Sequence, residues 1–291
     1  MHILLMGNSG QLGWELNRVL RSLGSLETYE YPQVDFTQPE TLRAVVETSH
    51  PDIIVNAVAY TNVDKAESEP EKAYLVNAIA TRVLAEEAQK SGAFFLHYST
   101  DFVFDGRKGS PYVESDAPNP LNVYGKSKLA GEQEIQHIDG AYLILRTSWV
   151  YSLRQGGFLT KVLQWARSQK VLQIVNDQVG SPTWARALAE ITGQLLASAG
   201  QPPFDWLSER KGIYHLAGLG QASRFEWARA ILACDPRPQE QTVREILPAL
   251  TTEFPTPAVR PLFSALDCSL FEKTFQLQLP PWQDALRLAM Q

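Results

Sequence analysis

Short apolar runs alternate with stretches of helical periodicity through the first half of the chain. Residues 3–6 form a short apolar strand, and residues 12–23 follow with Leu12, Leu16, Val19, Leu20 and Leu23 at helical spacing. A weaker strand at 26–29 precedes a helix at 39–48, with Thr37 as a cap before it. Residues 53–58 are continuously apolar, as in a strand buried on both faces. One long helix is predicted over 70–90, with Pro70 in its first turn. A strand at 93–98, a helix at 123–137 and a strand at 141–145 complete the series.

This order predicts an α/β fold: a Rossmann-type, doubly wound parallel sheet with a smaller C-terminal lobe that binds substrate. Residues 1–150 make the dinucleotide-binding domain and 151–291 mainly the lobe. Helices are expected at 156–168 and 183–199, the second returning to the first domain. A strand is expected at 171–175 and a short helix at the end of 270–291, whereas 201–213 and 235–262 read as proline-rich loops.

Composition adds mostly exclusions. Hydrophobic residues make up 44% and charged residues 20%, which suits a globular chain and not a disordered one. The net charge of -6 offers no basic footprint for nucleic acid. The apolar run at the N-terminus is too short for a signal peptide, and no stretch approaches the roughly 18 apolar residues of a membrane span. A cytoplasmic protein with no membrane partner is expected. Cys234 and Cys268 make neither a disulfide framework nor a zinc site and are read as reduced.

The candidate chemistry begins where the first strand runs into Gly7-Asn8-Ser9-Gly10-Gln11-Leu12-Gly13. Glycines at this spacing allow a tight turn, close approach of a pyrophosphate, and close helix–strand packing. The helix N-terminus then presents free N–H groups to the phosphates. Gly7, Ser9, Gly10, Gln11 and Leu12 are therefore candidate cofactor contacts. Glu30 lies where an acidic side chain would hold a ribose 2′-hydroxyl. That position favours NADH, and no lysine or arginine occurs between Arg21 and Arg43 to meet a 2′-phosphate. Asp35 and Phe36 are candidates for the adenine. Ala57, Val58, Ala59 and Tyr60 close the third strand, and Tyr98 closes the fourth, against the cofactor.

Tyr124 and Lys128 form Y-x-x-x-K and share one helix face. An ammonium there is expected to lower the phenol's pKa from about 10, so that Tyr124 exchanges a proton with a substrate. Lys128 can also hold ribose hydroxyls. Ser99-Thr100-Asp101 follows a buried strand, at the sheet edge where such folds place their sites. Thr100 is the expected hydroxyl that polarises a carbonyl. Hydride would come from NADPH or NADH. His97, in the same buried strand, reads as a core histidine.

Taken together, these segments resemble the dTDP-4-dehydrorhamnose reductase family of the extended short-chain dehydrogenase/reductase superfamily. The resemblance runs through the glycine turn, Asn56–Glu67, His97–Phe104, Asn122–Glu132 and Arg146–Tyr151, then Asn176–Gly180, Pro255-Thr256-Pro257, Arg260-Pro261 and Ser264. It implies reduction of the C4 ketone of dTDP-4-dehydro-6-deoxy-L-mannose by NADPH or NADH, the last step of dTDP-L-rhamnose synthesis. By motif position Thr100, Tyr124 and Lys128 would be catalytic. Thr61, Val63, Asp101 and Trp149 would meet the sugar, and Arg260 would suit the diphosphate.

Two departures stand out. Phe102 replaces a usual tyrosine. Some dimeric relatives hold a metal with interface glutamates; Glu15 matches one, but Arg186 stands where the second is expected, so no metal and a monomer or weak homodimer are predicted. A reductase or epimerase of another nucleotide sugar is an alternative. So is a non-catalytic role like that of the methionine adenosyltransferase regulatory subunit.

Overall fold

The computed structural model describes residues 1–154, 156–200 and 204–291. Six parallel strands form the central sheet. In chain order they are β1 (His2–Met6), β2 (Ser25–Tyr29), β3 (Ile53–Asn56), β4 (Phe94–Thr100), β5 (Tyr142–Thr147) and Gly212–His215. Across the sheet the order is Gly212–His215, β5, β4, β3, β1, β2. The chain therefore reverses direction across the sheet between β1 and β3, which leaves a crevice at their carboxyl ends.

Alternation within the apolar strands accounts for the layers. Ile3 and Leu5 join one core with Leu16, Leu20, Leu188 and Leu195, whereas Leu4 and Met6 join the other with Leu42, Val46, Val83 and Leu84. Each such side chain, removed from water, stabilises the fold by roughly 1.5–3 kcal/mol. The first core lies under helix α1 (Gln11–Leu20) and helix Ala185–Ser198, which pack together closely enough that a Cβ on Gly193 would sit 2.3 Å from Val19. The sheet is thus built from both sides of position 150. A third core surrounds the buried Trp227, its buried members all lying between Tyr151 and Met290.

Several elements differ from the sequence expectation. Gly212–His215 is a strand, not a loop, because Ile213 and Tyr214 have β5 to pair with. Residues 201–203 of that expected loop lie outside the described residues. Glu245–Ala249 is also a strand, pairing with Val171–Val175 in a two-stranded ribbon whose edge tolerates Pro248. Thr37 caps no helix: its hydroxyl binds Asp35, and the next helix, Thr41–Ser49, starts after Glu40. The long helix from Pro70 to Ser91 carries a π turn at Leu75–Ile79. There the buried Asn77 accepts from the Tyr60 N–H at 2.7 Å and donates to Ser127 at 2.9 Å. The widened turn lies against the next helix so tightly that a Cβ on Gly131 would sit 2.2 Å from the Asn77 carbonyl.

Candidate active site

A cavity of about 480 Å³ opens at the carboxyl edge of the sheet. One wall is the glycine turn, Gly10 to Gly13, with Ala57, Val58 and Ala59 after β3; the other holds Thr100, Tyr124, Lys128 and Trp149. Sterics explain the turn. Gly7 has φ +87°, and a Cβ there would meet Val58 at 2.6 Å. A Cβ on Gly13 would lie 1.6 Å from the Gly7 carbonyl oxygen, so only glycine lets α1 start there. Gly10 has nothing within 4 Å of its Cβ direction, which leaves its backbone open to a ligand.

Unsatisfied polar atoms mark the same region. Gln11 Oε1, Ser99 Oγ and Thr147 Oγ1 are buried without a partner among the described residues, and all three residues line the cavity. Buried polar groups are ordinarily paired, so these atoms fit a polar ligand. Glu30 Oε2, just after β2, is likewise buried and unpaired. This donor and acceptor set fits a dinucleotide laid over the turn. Other expected cofactor residues sit differently. Phe36 is buried in the core beside Leu42, and Asp35 accepts two hydrogen bonds from Thr37. The Tyr60 hydroxyl donates to Glu69; Tyr98 does line the cavity, although its hydroxyl bonds Thr192 inside the core. Ser9 lies on the exposed side of the turn.

The helix carrying Tyr124, Val123–Ile138, is capped by Asn122, whose Oδ1 accepts from the Gly125 N–H at 2.8 Å. A Cβ on Gly125 would come within 2.3 Å of the Phe102 carbonyl, so the helix start is pressed against the end of β4. That contact brings Tyr124 beside Thr100. Phe102 meets the Tyr124 ring edge-on at 5.8 Å. Thr100 Oγ1 accepts from the Phe102 N–H and donates to Asp101 at 3.2 Å. The buried Asp101 carboxylate also accepts from Ser148 at 2.9 Å and Ser264 at 2.5 Å. Burial nevertheless raises its pKa to about 6.

The lysine behaves differently from the expectation. Burial pushes the Tyr124 phenol up to about 12, against a smaller opposing pull from Thr100, and Lys128 does not lower it. Burial also pulls Lys128 down to about 7. The reason is where its amine points. Lys128 Nζ lies 2.9 Å from His97 Nε2 and donates to the Tyr98 carbonyl at 2.7 Å. The hydrogen bonds around His97 assign its tautomer. Asn56 Oδ1 accepts from the Val58 N–H, so its amide nitrogen donates to His97 Nδ1 at 3.1 Å. His97 is fully buried and its pKa is well below the usual value, so the neutral ring carries its proton on Nε2 and directs it at Lys128. In this arrangement Lys128 is an amine. His97 is thus the buried, hydrogen-bonded core histidine that the sequence suggested, and its contact with Lys128 is the part that spacing did not show.

Trp149 lines the cavity with φ +44°. Its indole is pressed on Gly180, where a Cβ would lie 2.4 Å away, and stacks on Trp227 at 5.6 Å. Thr61 is exposed at the cavity rim, whereas Val63 starts the short helix Val63–Ala66 and does not line it. Arg260 is also elsewhere, in a neighbouring cavity, with its guanidinium bidentate on Asp64 at 3.1 and 2.7 Å. Among the described residues no group of three or more His, Cys, Asp or Glu could hold a metal, and no helix is long and apolar enough to cross a membrane.

A parallel sheet with a glycine turn after its first strand, facing a hydroxyl, a phenol and an amine, defines a Rossmann-type NAD(P)-dependent oxidoreductase of the short-chain class. Comparison with known proteins narrows this class. The family model described as RmlD substrate binding domain matches residues 1–291, and the chain belongs to that family. It is 41% identical to the dTDP-4-dehydrorhamnose reductase of Burkholderia thailandensis, over 100% of this chain and 98% of the relative. It is 42% identical to the Escherichia coli K12 enzyme of the same name, over 97% and 95%. The Bacillus anthracis dTDP-4-dehydrorhamnose reductase, solved in complex with NADP, superposes with a TM-score of 0.88 at 32% identity, covering 99% and 97%.

Proposed function

We propose that this chain reduces the C4 ketone of dTDP-4-dehydro-6-deoxy-L-mannose to dTDP-L-rhamnose, with Thr100, Tyr124 and Lys128 as its catalytic residues. The observation that carries the reading is the meeting of these three side chains in one cavity, opposite the glycine turn. When bound there, the reduced nicotinamide supplies the hydride. Thr100 turns its hydroxyl proton from Asp101 to the ketone oxygen, and Tyr124 donates its phenolic proton to that oxygen. A phenol held near 12 remains protonated, and so competent as a proton donor, throughout the neutral range. Lys128 orients the ribose and exchanges a proton near neutrality, its amine being poised at about 7. Trp149 offers an apolar indole to the deoxysugar.

Glu30 supports NADH over NADPH as the preferred cofactor. Its unpaired Oε2 suits a ribose hydroxyl and would repel a 2′-phosphate. A cytoplasmic enzyme acting as a monomer or weak homodimer belongs to the same reading, and sedimentation of the purified chain checks its size.

The test follows the hydride. Cofactor deuterated at the transferring position of the nicotinamide should leave deuterium at C4 of the rhamnose product. Product without deuterium, or no product with either cofactor, overturns the reading.

A further inference from the structure

Asp101 follows β4 directly and is 2% exposed, yet among the described residues its carboxylate makes no ion pair. Three hydroxyls hold it instead, and they are divided unevenly. Ser148 at 2.9 Å and Ser264 at 2.5 Å both donate to Oδ2, whereas Thr100, at 3.2 Å, donates alone to Oδ1. The two serines come from different parts of the chain. Ser148 follows β5, and Ser264 lies 163 residues after Asp101. Each is 1% exposed, so water cannot readily take its place.

The backbone aims both serines. Ser148 Oγ accepts from the Ser181 N–H at 3.3 Å, which leaves its own proton for the carboxylate. Ser264 is held on a short ladder: its N–H donates to the Val179 carbonyl at 2.8 Å, and the Val179 N–H donates to the Leu262 carbonyl at 2.8 Å. A buried carboxylate is costly unless donors meet its lone pairs. Hydrogen bonds to a charged acceptor are the strong kind, and the two shorter ones converge on Oδ2. The Thr100 proton, on the longest bond, is therefore the one that a substrate oxygen can draw away at least cost. With the serines in place, the carboxylate stays satisfied at Oδ2 when that proton turns.

We propose that Ser264, with Ser148, is a positioning residue for the reduction: the two serines anchor Asp101 through Oδ2 and so leave the Thr100 hydroxyl free to turn to the ketone. Neither serine lines the catalytic cavity, so each acts through Asp101, which does. Ser264 thus comes from the C-terminal part of the chain and works on the catalytic side. Without its hydroxyl the carboxylate would keep the Thr100 proton for itself, and reduction would slow while substrate and cofactor bind as before. The inference deepens the function proposed above and rests on it for the ketone.

Two measurements on the full chain test the assignment. In steady-state reduction of dTDP-4-dehydrorhamnose, Ser264→Ala should lower kcat about 10-fold and leave KM and cofactor affinity within about 2-fold. In an Asp101→Asn background, which has no carboxylate to anchor, the same change should cost less than about 2-fold. Carboxyl NMR titration, which needs no substrate, should show the Asp101 midpoint moving up by about one pH unit in Ser264→Ala, because a lost donor disfavours the ionised form. Arg224 is the charge that attracts this carboxylate and Tyr124 the phenol that it repels, and the serine variants alter neither. If Ser264→Ala does not fold, Ser148→Ala carries both measurements with the same expectations. Failure of both to fold would assign the serines to stability alone and overturn the proposal. An unchanged kcat, a full loss repeated in Asp101→Asn, or an unmoved midpoint also overturns it. A wild type that reduces no ketone sinks the reductase reading instead, and the titration still decides whether the serines hold Asp101.

Discussion

The two cavities are built in opposite ways. In the catalytic cavity the ionisable groups already have polar partners: Lys128 has His97 and the Tyr98 carbonyl, Asp101 has three hydroxyls, and nearby Glu132 binds Arg146 at 2.9 and 2.6 Å. In the second cavity, lined by Lys161, Arg224 and Arg260, only Arg260 makes an ion pair among the described residues. A site for chemistry must hold reacting groups at fixed protonation and position before substrate arrives. A site for binding an anion does better with charge left over. The division predicts that damage on the sheet side lowers kcat or stability, and that damage on the lobe side raises KM.

The largest effect should come from Tyr124→Phe. It removes the proton donor and keeps the ring against Phe102, so kcat should fall about 10³-fold with cofactor affinity unchanged. Steady-state turnover and cofactor titration read the two quantities separately. Next comes Glu132→Gln, which leaves the buried Arg146 without its partner. Side-chain exposures of 3% and 1% mean little water can replace the carboxylate, and urea unfolding should show a loss of about 3–5 kcal/mol. Gly180→Ala tests the boundary between the cavities. Its new Cβ would displace the Trp149 indole, at a cost of about 1–3 kcal/mol, and should raise KM more than it lowers kcat.

A pH profile probes the lysine. Reduction assisted by the Lys128 ammonium should slow as pH rises through about 7, where that proton is lost. His97→Phe removes the N–H aimed at the amine, so the amine holds its proton to higher pH and the falling limb should move up by about one unit. His97→Gln, which can donate in the same direction, should return the limb toward its original place. An unmoved limb in His97→Phe would show that the histidine is only packing. The smallest effect is expected from Phe102→Tyr, which adds a hydroxyl beside a ring already packed edge-on and should change kcat by no more than about 3-fold.

The same contrast explains what could be read from the sequence. Four of the six strands, β1, β3, β4 and β5, are built on short apolar runs, and the glycine turn and Y-x-x-x-K are spacings on single elements. All are local, and the fold class follows from their order. Gly212–His215 was missed because four residues with two apolar side chains carry no period, and only the waiting edge of β5 makes them a strand. Spacing placed Lys128 and Tyr124 on one helix face but could not show the amine turning to a histidine on β4. Nor could spacing show that Arg260 is held by Asp64, which is 196 residues away in sequence.

The most direct test of the central claim is consumption of NADH or NADPH by the purified chain on addition of dTDP-4-dehydrorhamnose, run beside Tyr124→Phe. Rapid consumption by the wild type and near-complete loss in the variant, with both proteins still binding cofactor, is the predicted result. Equal consumption by the two would contradict it, because the phenol would then have no part in delivering the proton.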